Sequence, residues 1–402
     1  MFGSDPAHSG NITPYDSAQM PKQNWTTQIT NSTINSSPVV ANGILYISAT
    51  DKTLYALDAS NGDILWNYTF LGNGIASSPA VSEGVVYVGA ALGLFAFDAK
   101  TGTELWVKPA YAYSSSPAVV DGVVYFGSTD THVYALNAST GTELWNYTTG
   151  SRNGVSPVVA DGIVYVSVGR ANQFTKGIYA LNASTGEKIW DYTFYNGNWD
   201  SVPAVADGVV CFGFFSYGFY ALSAIDGSLL WHSDIKYGSS PAVANGIVYF
   251  STNPEKEWPA FYALDAITGK QIWFYATRVN YGPSPAVADG VVYFGSNYKN
   301  ICAFNATSGS IIWKYTTSDD VKFSPVVGSR EIFFASHDGK VHALVFRSES
   351  DNPDLESDDF DFFVFALPLI AVVLVAAILA LTFYFKKIVQ NNKNSIVVIR
   401  NV

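Results

Sequence analysis

Five histidines, two cysteines and scattered carboxylates are the groups of this 402-residue chain that could move protons, attack as nucleophiles or hold a metal. Catalysis needs such groups clustered, and their spacing here gives no sign of it. His8, His132, His232, His337 and His342 fall at unrelated positions, and a lone histidine is more often a semi-exposed surface group than a ligand. Cys211 and Cys302 are 91 positions apart, and each stands where sibling segments carry an aromatic residue. Both therefore read as buried apolar substitutes rather than as a disulfide. No acidic run matches a calcium loop, and Asp319 with Asp320 reads as a solvated turn. Asp58, Asp98 and Asp265 recur at one turn-capping place, which structure explains without a carboxylate dyad. The expectation is no metal ligand and no catalytic residue, with enzymatic activity kept only as an alternative.

The elements around these residues repeat. Pro38, Pro79, Pro117, Pro157, Pro203, Pro241, Pro285 and Pro325 each open a unit, and a Gly follows five residues later in all but the last, where Arg330 stands. An apolar strand such as VVYFGS comes next, then a second strand typically reading YAL or FAF around an Ala. Ten residues after that Ala stands a Trp in seven units: Trp66, Trp106, Trp145, Trp190, Trp231, Trp273 and Trp313. The Trp-to-Trp period of 39 to 45 residues, with about four short apolar stretches per unit, predicts the blades of a β-propeller. β-Branched and aromatic runs bounded by turn residues leave no segment with helical periodicity. The eighth unit lacks its Trp, and QNWTTQIT around Trp25 precedes the first Ser-Pro pair at the distance at which Trp66 precedes the second. The fold expected is all-β, an eight-bladed propeller closed by an N-terminal strand, with the eight tryptophans docking neighbouring sheets.

Two blades break the repeat. From the strand-two aromatic to the next Ala the spacing is 9 or 10 residues in six blades, but 15 from Tyr165 to Ala180 and 14 from Tyr249 to Ala263. These inserts carry Arg170, Lys176, Lys256 and Trp258, blade five adds Phe215 and Tyr217, and the connection NGNWD adds Trp199. All open on one face. Exposed aromatics mixed with cations suit a protein- or glycan-binding patch, and partly buried rings in longer loops would look the same.

The phrases DAKTGTELW, NASTGTELW and DAITGKQIW resemble the Trp-docking motif of the pyrroloquinoline quinone (PQQ) enzyme repeats, over roughly residues 20 to 346. The family implied is that of PQQ-like, BamB-like propellers, which includes quinoprotein dehydrogenases binding PQQ with calcium and non-catalytic propellers. The dehydrogenases place adjacent cysteines near the quinone and gather carboxylate and amide ligands. Cys211 and Cys302 depart from that pattern, no CxxCH haem motif occurs, and no N-terminal lipoprotein Cys is present. The resemblance thus favours a binding or scaffolding module without cofactor, with a PQQ- and calcium-dependent oxidoreductase and a cell-envelope structural protein as alternatives.

Composition narrows the setting. Aromatics are 15% and charged residues 14% of the chain, and the net charge of -11 with no basic run in the large N-terminal portion excludes a nucleic-acid footprint. Residues 362–385, FFVFALPLIAVVLVAAILALTFYF, are 24 uncharged positions, long enough as a helix to span a bilayer core of about 30 Å. An acidic stalk (348–361) precedes this run, and a short tail (386–402) with Lys386, Lys387, Lys393 and Arg400 follows it. Positive charge marks the cytoplasmic side, so the expectation is a single-pass cell-membrane protein, its propeller (20–347) outside after a lead-in segment (1–19). MFGSDPAHSG has neither a basic start nor an apolar stretch, which fits a removed signal peptide or an internal Met. Nine Asn-x-Ser/Thr triplets all precede the apolar run, and Asn67 and Asn146, just after their tryptophans, are the glycan candidates.

Overall fold

The computed structural model describes residues 20–346 except 73, 113–114, 151–155, 169–175, 195–200, 215–217, 236–237, 253–258, 277–282 and 297. The acidic stalk, the apolar run at 362–385 and the basic tail lie outside the described residues. Among the described residues no helix is long and apolar enough to cross a membrane.

Among the described residues thirty-two strands form eight four-stranded antiparallel sheets, the blades of a β-propeller. The first strand is β1 (Lys22–Gln28), and blade one is β2 (Val39–Ala41), β3 (Ile44–Ser48), β4 (Thr53–Asp58) and β5 (Ile64–Thr69). Blade two is β6 (Ala80–Ser82), β7 (Val85–Ala90), β8 (Gly93–Asp98) and β9 (Glu104–Pro109). Blade three is β10 (Ala118–Val120), β11 (Val123–Gly127), β12 (His132–Asn137) and β13 (Glu143–Thr148). Blade four is β14 (Val158–Ala160), β15 (Ile163–Val168), β16 (Lys176–Asn182) and β17 (Lys188–Phe194). Blade five is β18 (Ala204–Ala206), β19 (Val209–Phe214), β20 (Gly218–Ser223) and β21 (Leu229–Ser233). Blade six is β22 (Ala242–Ala244), β23 (Ile247–Ser251), β24 (Ala260–Asp265) and β25 (Gln271–Ala276). Blade seven is β26 (Ala286–Ala288), β27 (Val291–Ser296), β28 (Asn300–Asn305) and β29 (Ile311–Thr316). Blade eight takes β30 (Val326–Val327), β31 (Glu331–Ser336) and β32 (Lys340–Val345) from the end of the described chain, and β1 lies antiparallel to β32 as its fourth strand.

Local chemistry sets these elements. In six blades the short first strand turns into the second through an Asx-Gly pair such as Asp121-Gly122, both at positive φ (50° and 73°), the geometry of a type I′ hairpin; blade two uses Glu83-Gly84 and blade eight Ser329-Arg330. The third-to-fourth hairpin carries a register shift after its Ala, and this puts each Trp directly opposite that Ala: Ala56 faces Trp66, Ala135 faces Trp145, and Ala343 faces Trp25. The constant ten-residue spacing in the sequence is this register. The small Ala leaves the indole room to lean into the next blade. Apolar side chains form eight buried clusters, each straddling a blade interface; Tyr46, Leu54 and Ala56 of blade one, for example, pack with Val86, Val88 and Phe97 of blade two.

Candidate functional site

The repeat signature assembles an outer ring of inter-blade hydrogen bonds. Trp66 Nε1 donates to the Ala99 carbonyl at 3.0 Å, and the Tyr46 hydroxyl donates to the same oxygen at 2.9 Å. One carbonyl of each following blade thus accepts both polar groups of its neighbour's aromatic pair. The same double acceptance holds for Ala138 (Trp106, Tyr87), Ala183 (Trp145, Tyr125), Ala224 (Trp190, Tyr165) and Ala306 (Trp273, Tyr249). Where the strand-two Tyr is replaced, by Cys211 or Phe333, only the tryptophan donates: Trp231 to Ala266 and Trp25 to Ala59, each at 2.8 Å. Burial raises these tyrosines above the ordinary phenol range, Tyr87 and Tyr165 to about 12, so they stay protonated donors at any physiological pH.

Trp313 is the exception. Its indole is 4% exposed, yet Nε1 has no hydrogen-bond partner among the described residues. The reason is sequence: after Ala343 blade eight carries no Asx-Ala turn, and Phe346, ring centroid 6.3 Å away, takes the place of the accepting Ala.

Leading into the inner strands, the serines that precede the prolines link neighbouring blades. The second Ser of each Ser-Ser-Pro accepts the backbone N–H of its counterpart one blade back: Ser37 donates to Ser78 Oγ, Ser78 to Ser116 Oγ and Ser116 to Ser156 Oγ, each at 3.0 Å. Ser324 N donates in turn to Ser37 Oγ at 3.2 Å, joining blade eight to blade one. The first Ser stays within its blade; Ser77 Oγ accepts from Gly89 N and donates to Gly89 O, both at 2.9 Å. Its signal was the doubled serine recurring twelve residues before the same point of strand two.

Among the described residues the most buried titratable cluster lies in blade eight; a second, partly exposed group joins Lys108 with Glu143, and His132 with Asp130, near the outer edge of blade three. His342 is 4% exposed, stacked on Phe334, and its two ring nitrogens contact Ser336 Oγ (2.9 Å) and Thr26 Oγ1 (3.0 Å). Ser336 also donates to Asp338, whose other oxygen meets Lys340 Nζ at 2.8 Å and Ser318 Oγ at 2.6 Å. The expectation that the histidines are semi-exposed is corrected here. Desolvation, acting against Asp338 and together with Lys340, lowers His342 to about 4 and keeps the ring neutral. The order of groups is carboxylate, serine, histidine, so the acid holds the hydroxyl rather than orienting the imidazole as a base. With Ser336 only 1% exposed, the cluster ties β1, β31 and β32 together and admits no substrate.

The other expected residues are spread out. His132 meets Thr148, His232 lies against Tyr220, and no group of three or more His, Cys, Asp or Glu side chains that could hold a metal occurs among the described residues. Asp98 and Asp265 cap their turns by accepting from Thr101 and Thr268, as read from the sequence; side-chain and backbone hydrogen bonds hold both below the usual carboxylate range. Cys211 is enclosed in the core of blade five, where burial pushes its thiol pKa up. Asn67 and Asn146 are exposed on the outer strands β5 and β13. Of the patch residues, Arg170, Trp199, Phe215, Tyr217, Lys256 and Trp258 lie outside the described residues, and Lys176 is described only as the first residue of β16.

Eight blades, seven of whose junctions are made by Trp-to-Ala docking, define a propeller of the PQQ-like, BamB-like class. The chain belongs to the family described as outer membrane protein assembly factor BamB, whose model matches residues 9–167, 148–233 and 218–350. No curated protein matches the chain by sequence. Among solved structures it is similar to BamB from Moraxella catarrhalis, at 17% identity and TM-score 0.68, covering 81% of this chain and all of that one (100%). It is equally similar to a quinohemoprotein alcohol dehydrogenase from Pseudomonas putida HK5, at 17% identity and TM-score 0.68 over 84% of this chain and 78% of that one. A computationally designed protein, Ika8, matches at 16% identity and TM-score 0.68, over 81% of this chain and 99% of that one. At such identities the likeness is one of fold.

Proposed function

We propose that this protein is a non-catalytic scaffolding propeller that binds a protein or glycan partner. On this reading residues 362–385 anchor it in the cell membrane, with the ring outside, Asn67 and Asn146 open to glycans, and the basic tail in the cytoplasm. Strand β1, as the outer strand of blade eight, closes the ring. The observation that carries the reading is the use made of the repeat signature: seven of the eight repeat tryptophans and five strand-two tyrosines donate to an Ala carbonyl of the next blade, and serines before the prolines accept across blade interfaces. What varies from blade to blade is left to the loops of blades four to six, which hold Arg170, Lys176, Trp199, Phe215, Tyr217, Lys256 and Trp258. A family described by an assembly factor agrees with contact to other proteins.

The quinoprotein alternative draws on the alcohol dehydrogenase likeness. The residues in hand do not fit its cofactor pair: the two cysteines sit in different blades, Cys211 inside a core cluster. Incubating the purified full chain with PQQ and calcium, followed by dialysis, separates the readings. No quinone absorbance is expected to remain, and retained quinone overturns the scaffold. Partner capture from membranes of the source cell should fail when Trp199 and Trp258 are both changed to Ala, and undiminished capture removes the patch.

A further inference from the structure

Blade seven omits a ring that the other blades keep. In strand three, the residue paired with a fixed position of strand two is Tyr55, Phe95, Tyr134, Tyr179, Tyr220, Tyr262 or His342 in seven blades, and Cys302 in blade seven. Where the strand-two partner is Phe, the two rings stack: Phe126 on Tyr134 with centroids 5.2 Å apart, Phe212 on Tyr220 at 5.8 Å, Phe250 on Tyr262 at 5.9 Å and Phe334 on His342 at 4.9 Å. Phe294 is the fifth such Phe. It is fixed by Phe261 of blade six, 4.6 Å away, and across the ladder it faces only the Cys302 thiol.

The missing ring leaves a cavity of about 440 Å³ between blades six and seven, lined by Tyr275, Phe294, Tyr298, Cys302, Phe304 and Lys314 among others. That is within the size range of small-molecule sites, of order 300 to 1,000 Å³. Tyr275 and Tyr298, 37% and 57% exposed, present aromatic surface at this cavity. Lys314 is the cross-strand partner of Cys302, so both side chains rise from the same face of the sheet. No acidic residue lines the cavity, and no ion pair or hydrogen bond engages Lys314 Nζ among the described residues. Burial pushes the Cys302 thiol up to about 11 against the pull of Lys314, leaving it neutral and the lysine the one charged side chain among the described residues that line the slot.

We propose that this slot binds a single-ring aromatic carboxylate. Its ring stacks on Phe294 where sibling blades supply their own, and its carboxylate pairs with Lys314. The site is independent of the scaffolding reading, since it lies on blades six and seven and uses none of the loop-patch residues.

Benzoate titrated into the full chain by calorimetry, with benzyl alcohol as the neutral probe, tests the site. Saturable benzoate binding is expected; K314M should weaken it about tenfold while leaving benzyl alcohol unchanged, since only the charged pair is lost. C302Y rebuilds the ring of the other blades and should abolish binding of both. Saturating benzoate should also slow alkylation of Cys302, a readout that needs no variant to fold. The proposal is overturned by absence of saturable benzoate binding, by equal affinity in K314M or C302Y, or by an alkylation rate indifferent to benzoate.

Discussion

Trp66 and Gly102 are fitted to each other across a blade interface: a Cβ on Gly102 would lie 2.6 Å from the indole Cδ2. The same phrase that carries Gly102 supplies Ala99, the acceptor for Trp66, and ends in Trp106, which docks on the blade after it. Each copy of Asx-Ala-x-Thr-Gly-x-x-x-Trp is therefore both socket and hook. A ring follows from repeating it.

The hydrogen-bond half of this fit is measurable by comparison. W145F removes a donor from the Ala183 carbonyl, whereas W313F removes one that has no partner. Both lose similar ring area, so W145F should cost about 1 kcal/mol more in denaturant unfolding. Equal midpoint shifts would contradict the docking role assigned to Nε1.

The steric half predicts a second pair. G102A and G122A both place a β-carbon at positive φ (70° and 73°), but Gly122 has nothing within 4 Å of that carbon. G122A should cost about 1 kcal/mol of backbone strain, and G102A a further ~1–3 kcal/mol from displacing the indole. Thermal unfolding of the two variants side by side decides it.

His342 sets a pH window. Its folded pKa of about 4 lies below its ordinary 6.5, so as pH falls the unfolded chain takes up this proton first. Its contribution is full above pH 6.5 and is lost progressively towards pH 4, by roughly 3 kcal/mol. H342F, keeping a ring over Phe334, should flatten that part of the stability–pH curve. An unchanged slope in this variant assigns the acid sensitivity elsewhere.

Strand β1 covers the edge of β32 and anchors Trp25 on Ala59. Deleting residues 1–28 should bare that edge and cause association in light scattering, the usual fate of an unpaired strand edge. A monodisperse truncated protein with unaltered melting would show that the ring does not depend on β1.

Much of this was legible from spacing. Eight tryptophans, the ten-residue Ala-to-Trp interval and the Asx-Gly turns are local patterns, so blade number, hairpin register and turn caps could be read directly. The serine links were present in the same letters, but a hydroxyl that bonds one blade back pairs residues about forty positions apart, and no local pattern says which partner it meets. His342 looked like a stray histidine because its partners come from both ends of the described chain, Thr26 and Ser336. The slot at Cys302 likewise depends on blade six standing against it.

By itself, then, the sequence determined the strand order, the repeat and the docking phrase, because these rest on backbone preferences and hydrophobic alternation within one blade. Tertiary structure alone decided which carbonyl takes two donors, which indole goes without an acceptor, and which absent ring leaves a cavity. Those outcomes depend on the complement offered by a neighbouring blade, and a side chain's free energy of burial is fixed only when that complement is in place.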